Sequence, residues 1–122
     1  MSIESLYQLV SEAIRRAEWL DDLHDPGAQA AYLEVSRLEE RIAEALPAIE
    51  PEGALARRGS VRAALAAGEL NRAKELAERF LREDLANAEL RAELLQLLAA
   101  PQGDAQAQIA GNNQVGNLGG RT

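Results

Sequence analysis

The chain has 122 residues, a formal net charge of −7 and no cysteine; 47% of its residues are hydrophobic but only 3% are aromatic. That length suits one modest domain. The acidic balance argues against a general nucleic-acid binder and against an anionic membrane surface, and the missing cysteine removes disulfide and thiolate chemistry and fits a reducing cytosol. No apolar run reaches the roughly 18 residues of a membrane span. The opening MSIESLYQLVSEAI carries early glutamates and no basic segment, which predicts no signal peptide.

The first fifty residues predict a long helical hairpin. Ile3, Leu6, Val10, Ala13, Ala17 and Leu20 recur at steps of three and four, and Ala28, Ala31, Val35, Leu38, Ile42, Ala45 and Ile49 repeat the pattern. Stripes of that period lie along one helix face, and two of them bury each other. Ser2 is placed to cap the first helix, which is expected to run to about Leu23. Asp25-Pro26 is expected to restart the chain, with Asp25 as N-cap and Pro26 at the first helical position, and the second helix to run to about Leu46. The hairpin is the expected spine of the domain.

Pro47 to Gly53 has two prolines and a glycine and reads as a connector. A third helix is expected from about Ala54 to Ala67, weakened in its middle by Gly59. Gly68 is a helix-terminating residue, and Leu70, Ala73, Ala77 and Phe80 give a fourth helix its apolar face. From Glu69 to Ala99 there is no Gly or Pro. The stripe shifts there to Leu81, Leu85, Ala88, Ala92 and Leu95. One helix over that stretch would be about 46 Å long, so a turn near Asp84 to Asn87 is favoured, with Asp84 or Asn87 capping a fifth helix. The fold class is all-α: a four- to five-helix bundle over residues 1–100, followed by a polar tail over 101–122.

Residues 64–73, ALAAGELNRA, continuing through Ala77 to Phe80, resemble the turn and second helix of one tetratricopeptide repeat, which uses a small glycine and alanines where its helices approach.

Few residues point to chemistry. Asp21, Asp22, His24 and Asp25 are the densest set of metal-ligand types, but their spacing fits neither a zinc site nor a calcium loop. No Glu-x-x-His pair suggests a di-iron bundle. With one histidine in a turn, no Ser/His/Asp set is credible. The expectation is a non-enzyme without metal or cofactor. Arg57, Arg58 and Arg62, with Arg15 and Arg16, are candidates for a basic partner-binding patch; the plainer reading makes them solvated ion pairs. Trp19 falls off the apolar stripe. With Tyr32 it flanks the hairpin turn, and the two are candidate anchors for a partner.

After Pro101 the composition changes. The tail holds five of the nine glycines, is rich in Gln and Asn, and is almost uncharged. Such a segment reads as a flexible linker, or as one whose Gln/Asn ladders stack in cross-β assemblies. Residues 108–117, QIAGNNQVGN, look like the short amyloid-signalling motifs of bacterial and fungal defence proteins, which are similar to the RIP homotypic interaction motif. The tail also resembles the Asn/Gly segments that follow small helical effector-associated domains in bacterial conflict systems. That resemblance implies a helical adaptor that recruits another protein, either a related helical domain or the same chain. It also implies an assembly motif carried by Gln108, Ile109, Gly111, Asn112, Asn113, Val115 and Asn117. A self-associating structural bundle with an inert tail is the alternative.

Overall fold

The computed structural model describes residues 1–83 and 87–99. It contains five helices, α1 (Ile3–Asp22), α2 (Ala28–Ala45), α3 (Pro51–Ala66), α4 (Leu70–Leu81) and α5 (Ala88–Ala99), and no strand among the described residues. The all-α bundle and its N-terminal hairpin are therefore as expected. The fourth and fifth helices are separate.

Local chemistry sets the helix ends. Ser2 Oγ accepts the Ser5 N–H at 3.1 Å and caps α1. At the other end the Asp25 N–H reaches the Leu20 carbonyl and the His24 N–H reaches that of Asp21, both at 2.9 Å. His24 adopts φ 55°. This is a Schellman termination with histidine in the left-handed position. The α3–α4 turn repeats it with glycine: Gly68 has φ 77°, and the Glu69 N–H bonds the Ala64 carbonyl at 2.9 Å.

Two expected starts shift. Asp25 does not cap α2; its Oδ1 accepts the Gly27 N–H at 2.7 Å, closing a local turn that contains Pro26, and α2 begins at Ala28. Helix α3 begins at Pro51 rather than Ala54, because proline at the first helical position forfeits no hydrogen bond. Gly53 thus lies inside α3. It is required there, since the Pro47 carbonyl oxygen occupies the space of a Cβ.

Helix α3 is the centre of the molecule. Ala54, Ala56, Arg57, Ser60, Val61, Ala63, Ala64 and Leu65 are all buried, so the helix is covered on most sides by α2, α4 and α5. Its small residues let those neighbours approach closely. The spine is therefore α3, and the hairpin is one wall against it. Leu6 and Val10 of α1, Leu38 and Ile42 of α2, Leu76 and Phe80 of α4, and Leu90 and Leu94 of α5 fill the main core. A smaller cluster joins Ala17, Val35 and Ala63.

Helix α5 departs from its expected stripe: Leu90 and Leu94 are fully buried, whereas Ala88, Ala92 and Leu95 face outward. Asn87 Oδ1 accepts the Leu90 N–H at 3.0 Å and caps it. Ile49 is 71% exposed in the connector, since α2 has already ended before Pro47. The residue before a proline is driven to extended backbone, and Leu46 has ψ 139°.

Candidate functional site

The face of the hairpin turned away from α3 is uncovered. It holds an open groove of about 460 Å³ between α1 and α2. Leu9, Ala13 and Leu20 of α1 and Ala30 and Ala31 of α2 form its apolar wall; Glu12, Arg16, Asp25 and Glu34 bring charge to it. On the same flank of α1 stand Trp19, 62% exposed, and Leu23, 57% exposed, one helical turn apart. Leaving both in water forgoes the stabilisation that burial gives.

The two candidate anchors and the three arginines of the candidate patch, Arg57, Arg58 and Arg62, do not form one site; only Arg58 and Arg62 meet, on Glu93. Tyr32 is half-buried beside the smaller core cluster and donates a long hydrogen bond of 3.4 Å from its hydroxyl to Asp21 Oδ2. Burial first, and then the Asp21 and Glu18 carboxylates, push its hydroxyl up to about 12. It stays a neutral phenol that braces the end of the hairpin.

Arg57 belongs to the interior, which corrects its expected place on a surface patch. It is 5% exposed and ties three elements together. Its Nη1 donates to the Leu46 and Gly53 carbonyls, each at 2.9 Å, and its Nε donates to Glu83 Oε1 at 2.9 Å. The guanidinium also lies 5.4 Å from the Phe80 ring centre. Arg58 and Arg62 both pair with Glu93 of α5 and hold that helix against α3. Arg15 and Arg16 are exposed on α1.

A second ionic cluster joins α2 to α4 and carries no signal in the sequence. Arg72 donates from Nε to Ser36 Oγ at 3.0 Å and from Nη2 to Glu40 Oε1 at 2.7 Å, while Arg79 Nη2 reaches Glu40 Oε2 at 3.0 Å. Burial pushes the Glu40 carboxyl up, but the hydrogen bonds and charges of Arg72 and Arg79 outweigh it and hold the group below the usual carboxylate range. Ser36, fully buried, donates in turn to the Ser60 carbonyl at 2.7 Å.

His24 serves the turn, and no group of three or more metal-ligating side chains converges among the described residues. Nor is any described helix long and apolar enough to cross a membrane. The assembly-motif residues Gln108, Ile109, Gly111, Asn112, Asn113, Val115 and Asn117 lie outside the described residues.

Leu23, Leu9 and Leu20 were not among the expected anchors. For Leu23 the available signal is its i, i+4 spacing from Trp19, both off the expected stripe; Leu20 belongs to that stripe and Leu9 carries no such signal. No known protein family, characterised protein or solved structure matches the chain.

Proposed function

We propose that this chain is a protein–protein interaction module, an adaptor of a bacterial defence or signalling assembly acting in the cytoplasm. Its helical body docks a protein partner and its tail promotes assembly. The reading rests on one observation above the others: Trp19 and Leu23 stand exposed beside the hairpin groove, whose apolar wall is rimmed by charged side chains. Exposed aromatic and aliphatic side chains next to a concave apolar surface are what interface hot spots are made of. The tail's likeness to amyloid-signalling motifs supplies the assembly half of the proposal. No catalytic residue, metal or cofactor has a place in this reading.

The test is a pull-down by the tagged full chain from its native host, run beside a variant carrying Trp19→Ser and Leu23→Ser. A partner held by the parent chain and lost from the variant is the expected result. A partner profile indifferent to both substitutions overturns the docking half.

A further inference from the structure

We propose that the exposed flank of α1 pairs with the same flank of a second copy of this chain, antiparallel, across a two-fold axis between Glu12 and Arg16. This rests on reading the hairpin face as an interaction surface, and it names the occupant of that surface.

The argument is the order of side chains along the flank. Read from the N-terminus it runs apolar Leu9, acidic Glu12, basic Arg16, then apolar Leu20 with Trp19 beside it. Steps of three and four keep these residues on one side of the helix. Reversed, the order is apolar, basic, acidic, apolar. An antiparallel copy therefore sets Glu12 opposite Arg16 and Arg16 opposite Glu12. It also sets Leu9 opposite Trp19 and Leu20 at both ends. A parallel copy sets acid on acid and base on base. The flank is thus self-complementary in one orientation only, the condition for an isologous two-fold contact.

Three further observations agree. Glu12 and Arg16 are exposed and make no ion pair within the chain among the described residues. They are free to pair across an interface. The groove beside them has Ala13, Ala30 and Ala31 in its wall, small side chains that admit another helix. Its α2 rim carries Glu34, an acidic group that suits an incoming helix bearing Arg15 and Arg16.

The matched flank from Leu9 to Leu20 is about 17 Å long. A contact of that extent buries less than the roughly 800 Å² per partner of a standard interface. The dimer is accordingly weak and reversible.

Sedimentation equilibrium of the full chain tests this. All samples carry Ile109→Asp and Val115→Asp, so that the tail makes no contribution. The expected result is a monomer–dimer equilibrium between low micromolar and submillimolar concentration, weakened by added salt. Glu12→Arg or Arg16→Glu alone weakens dimerisation about tenfold, because each places like charges at both symmetry-related positions. Glu12→Arg with Arg16→Glu restores it to within about threefold of the parent, since opposite charges again face each other. Thermal melts show the monomer fold retained in each variant, both side chains being exposed. A monomer at every concentration overturns the proposal. So does a dimer indifferent to the single reversals, or a double reversal that fails to restore association. A monomer that still loses its host partner on Trp19→Ser and Leu23→Ser rejects self-pairing alone and leaves the adaptor reading in place.

Discussion

The Glu39 carboxylate lies directly against the backbone of Gly59, in the space a Cβ would occupy at that position. No hydrogen bond or ion pair from the described residues reaches it. Burial between α2 and α3 pushes its pKa up from the ordinary 4.5 to about 7. The folded chain thus holds this proton more tightly than the unfolded chain. Stability therefore falls as pH rises from about 4.5 to about 7 on account of this group. Glu40 acts in the opposite sense: its depressed value contributes stability above the ordinary carboxylate range that is lost as pH falls through its folded value. Urea unfolding across both ranges separates the two. Glu39→Gln is expected to flatten the upper window and to raise stability above it by about 1–2 kcal/mol, after allowance for partial exposure. An unchanged slope rejects the assignment.

Three glycines in and after α3 respond differently to alanine. At Gly59 the obstacle is the far end of the flexible Glu39 side chain, which swings into solvent. Gly59→Ala is expected to stabilise by about 0.5–1 kcal/mol through helix propensity, and to return Glu39 toward an ordinary carboxylate. At Gly53 the obstacle is the Pro47 carbonyl, which is backbone and cannot yield. At Gly68 the positive φ itself opposes a side chain. Both of these substitutions are expected to destabilise, by about 1–3 kcal/mol. Chemical denaturation of the three single variants reads the contrast in sign.

His24 occupies the left-handed position that Gly68 occupies in the equivalent turn. His24→Gly removes the steric penalty of a Cβ there and is expected to stabilise by roughly 1 kcal/mol. EDTA is expected to leave the melting temperature of parent and variant alike within about 2 °C. Loss of stability on chelation means the Asp21 to Asp25 cluster holds an ion.

Arg57 makes its bonds from a buried position, so its removal orphans the Leu46 and Gly53 carbonyls and leaves Glu83 without its cation. Arg57→Met keeps the bulk and loses the donors. The expected cost is about 2–4 kcal/mol, measured by denaturant unfolding. Arg58→Met loses a partly exposed pair with Glu93, which keeps Arg62 as a cation, and is expected to cost less than about 1 kcal/mol. Equal effects from the two return Arg57 to the surface role that the sequence suggests.

The contrast shows what patterning carries and what it does not. The α1 and α2 stripes were readable because both helices bury one face: Leu6, Val10, Val35, Leu38 and Ile42 are all buried. Helix α3 is covered on most sides and its outward strip mixes Glu52, Leu55 and Arg62, so polarity gives no clean period, and Arg57 looks in sequence like its less buried neighbours Arg58 and Arg62. In α5 the apolar residues are too many for one stripe, and only tertiary contact selects Leu90 and Leu94 over Leu95. Trp19 was readable as an outward residue because it falls off its stripe. The groove beside it was not, since its wall combines residues of two helices whose mutual rotation the sequence leaves open. The Glu40 cluster likewise joins Arg72 and Arg79 across long separations in the chain.

The tail is tested by its own chemistry, its assembly residues lying outside the described part of the structure. Ordering residues 101–122 in one chain is costly, because glycine loses much backbone freedom and little side chain is buried in return. Stacked copies reverse that balance. Each Gln and Asn can bond its own equivalent above and below, and Ile109, Val115 and Leu118 can bury themselves between layers. Asp104 and Arg121 lie outside the Gln108 to Leu118 core, so stacking creates no like-charge repulsion within it. A peptide of residues 105–120 is expected to form fibres with a thioflavin response at high concentration or on a seed. Ile109→Asp with Val115→Asp is expected to abolish them, by placing charges in a dry interface. A parent peptide that stays soluble for days at millimolar concentration, seeded or not, makes the tail a linker and leaves any assembly to the hairpin face.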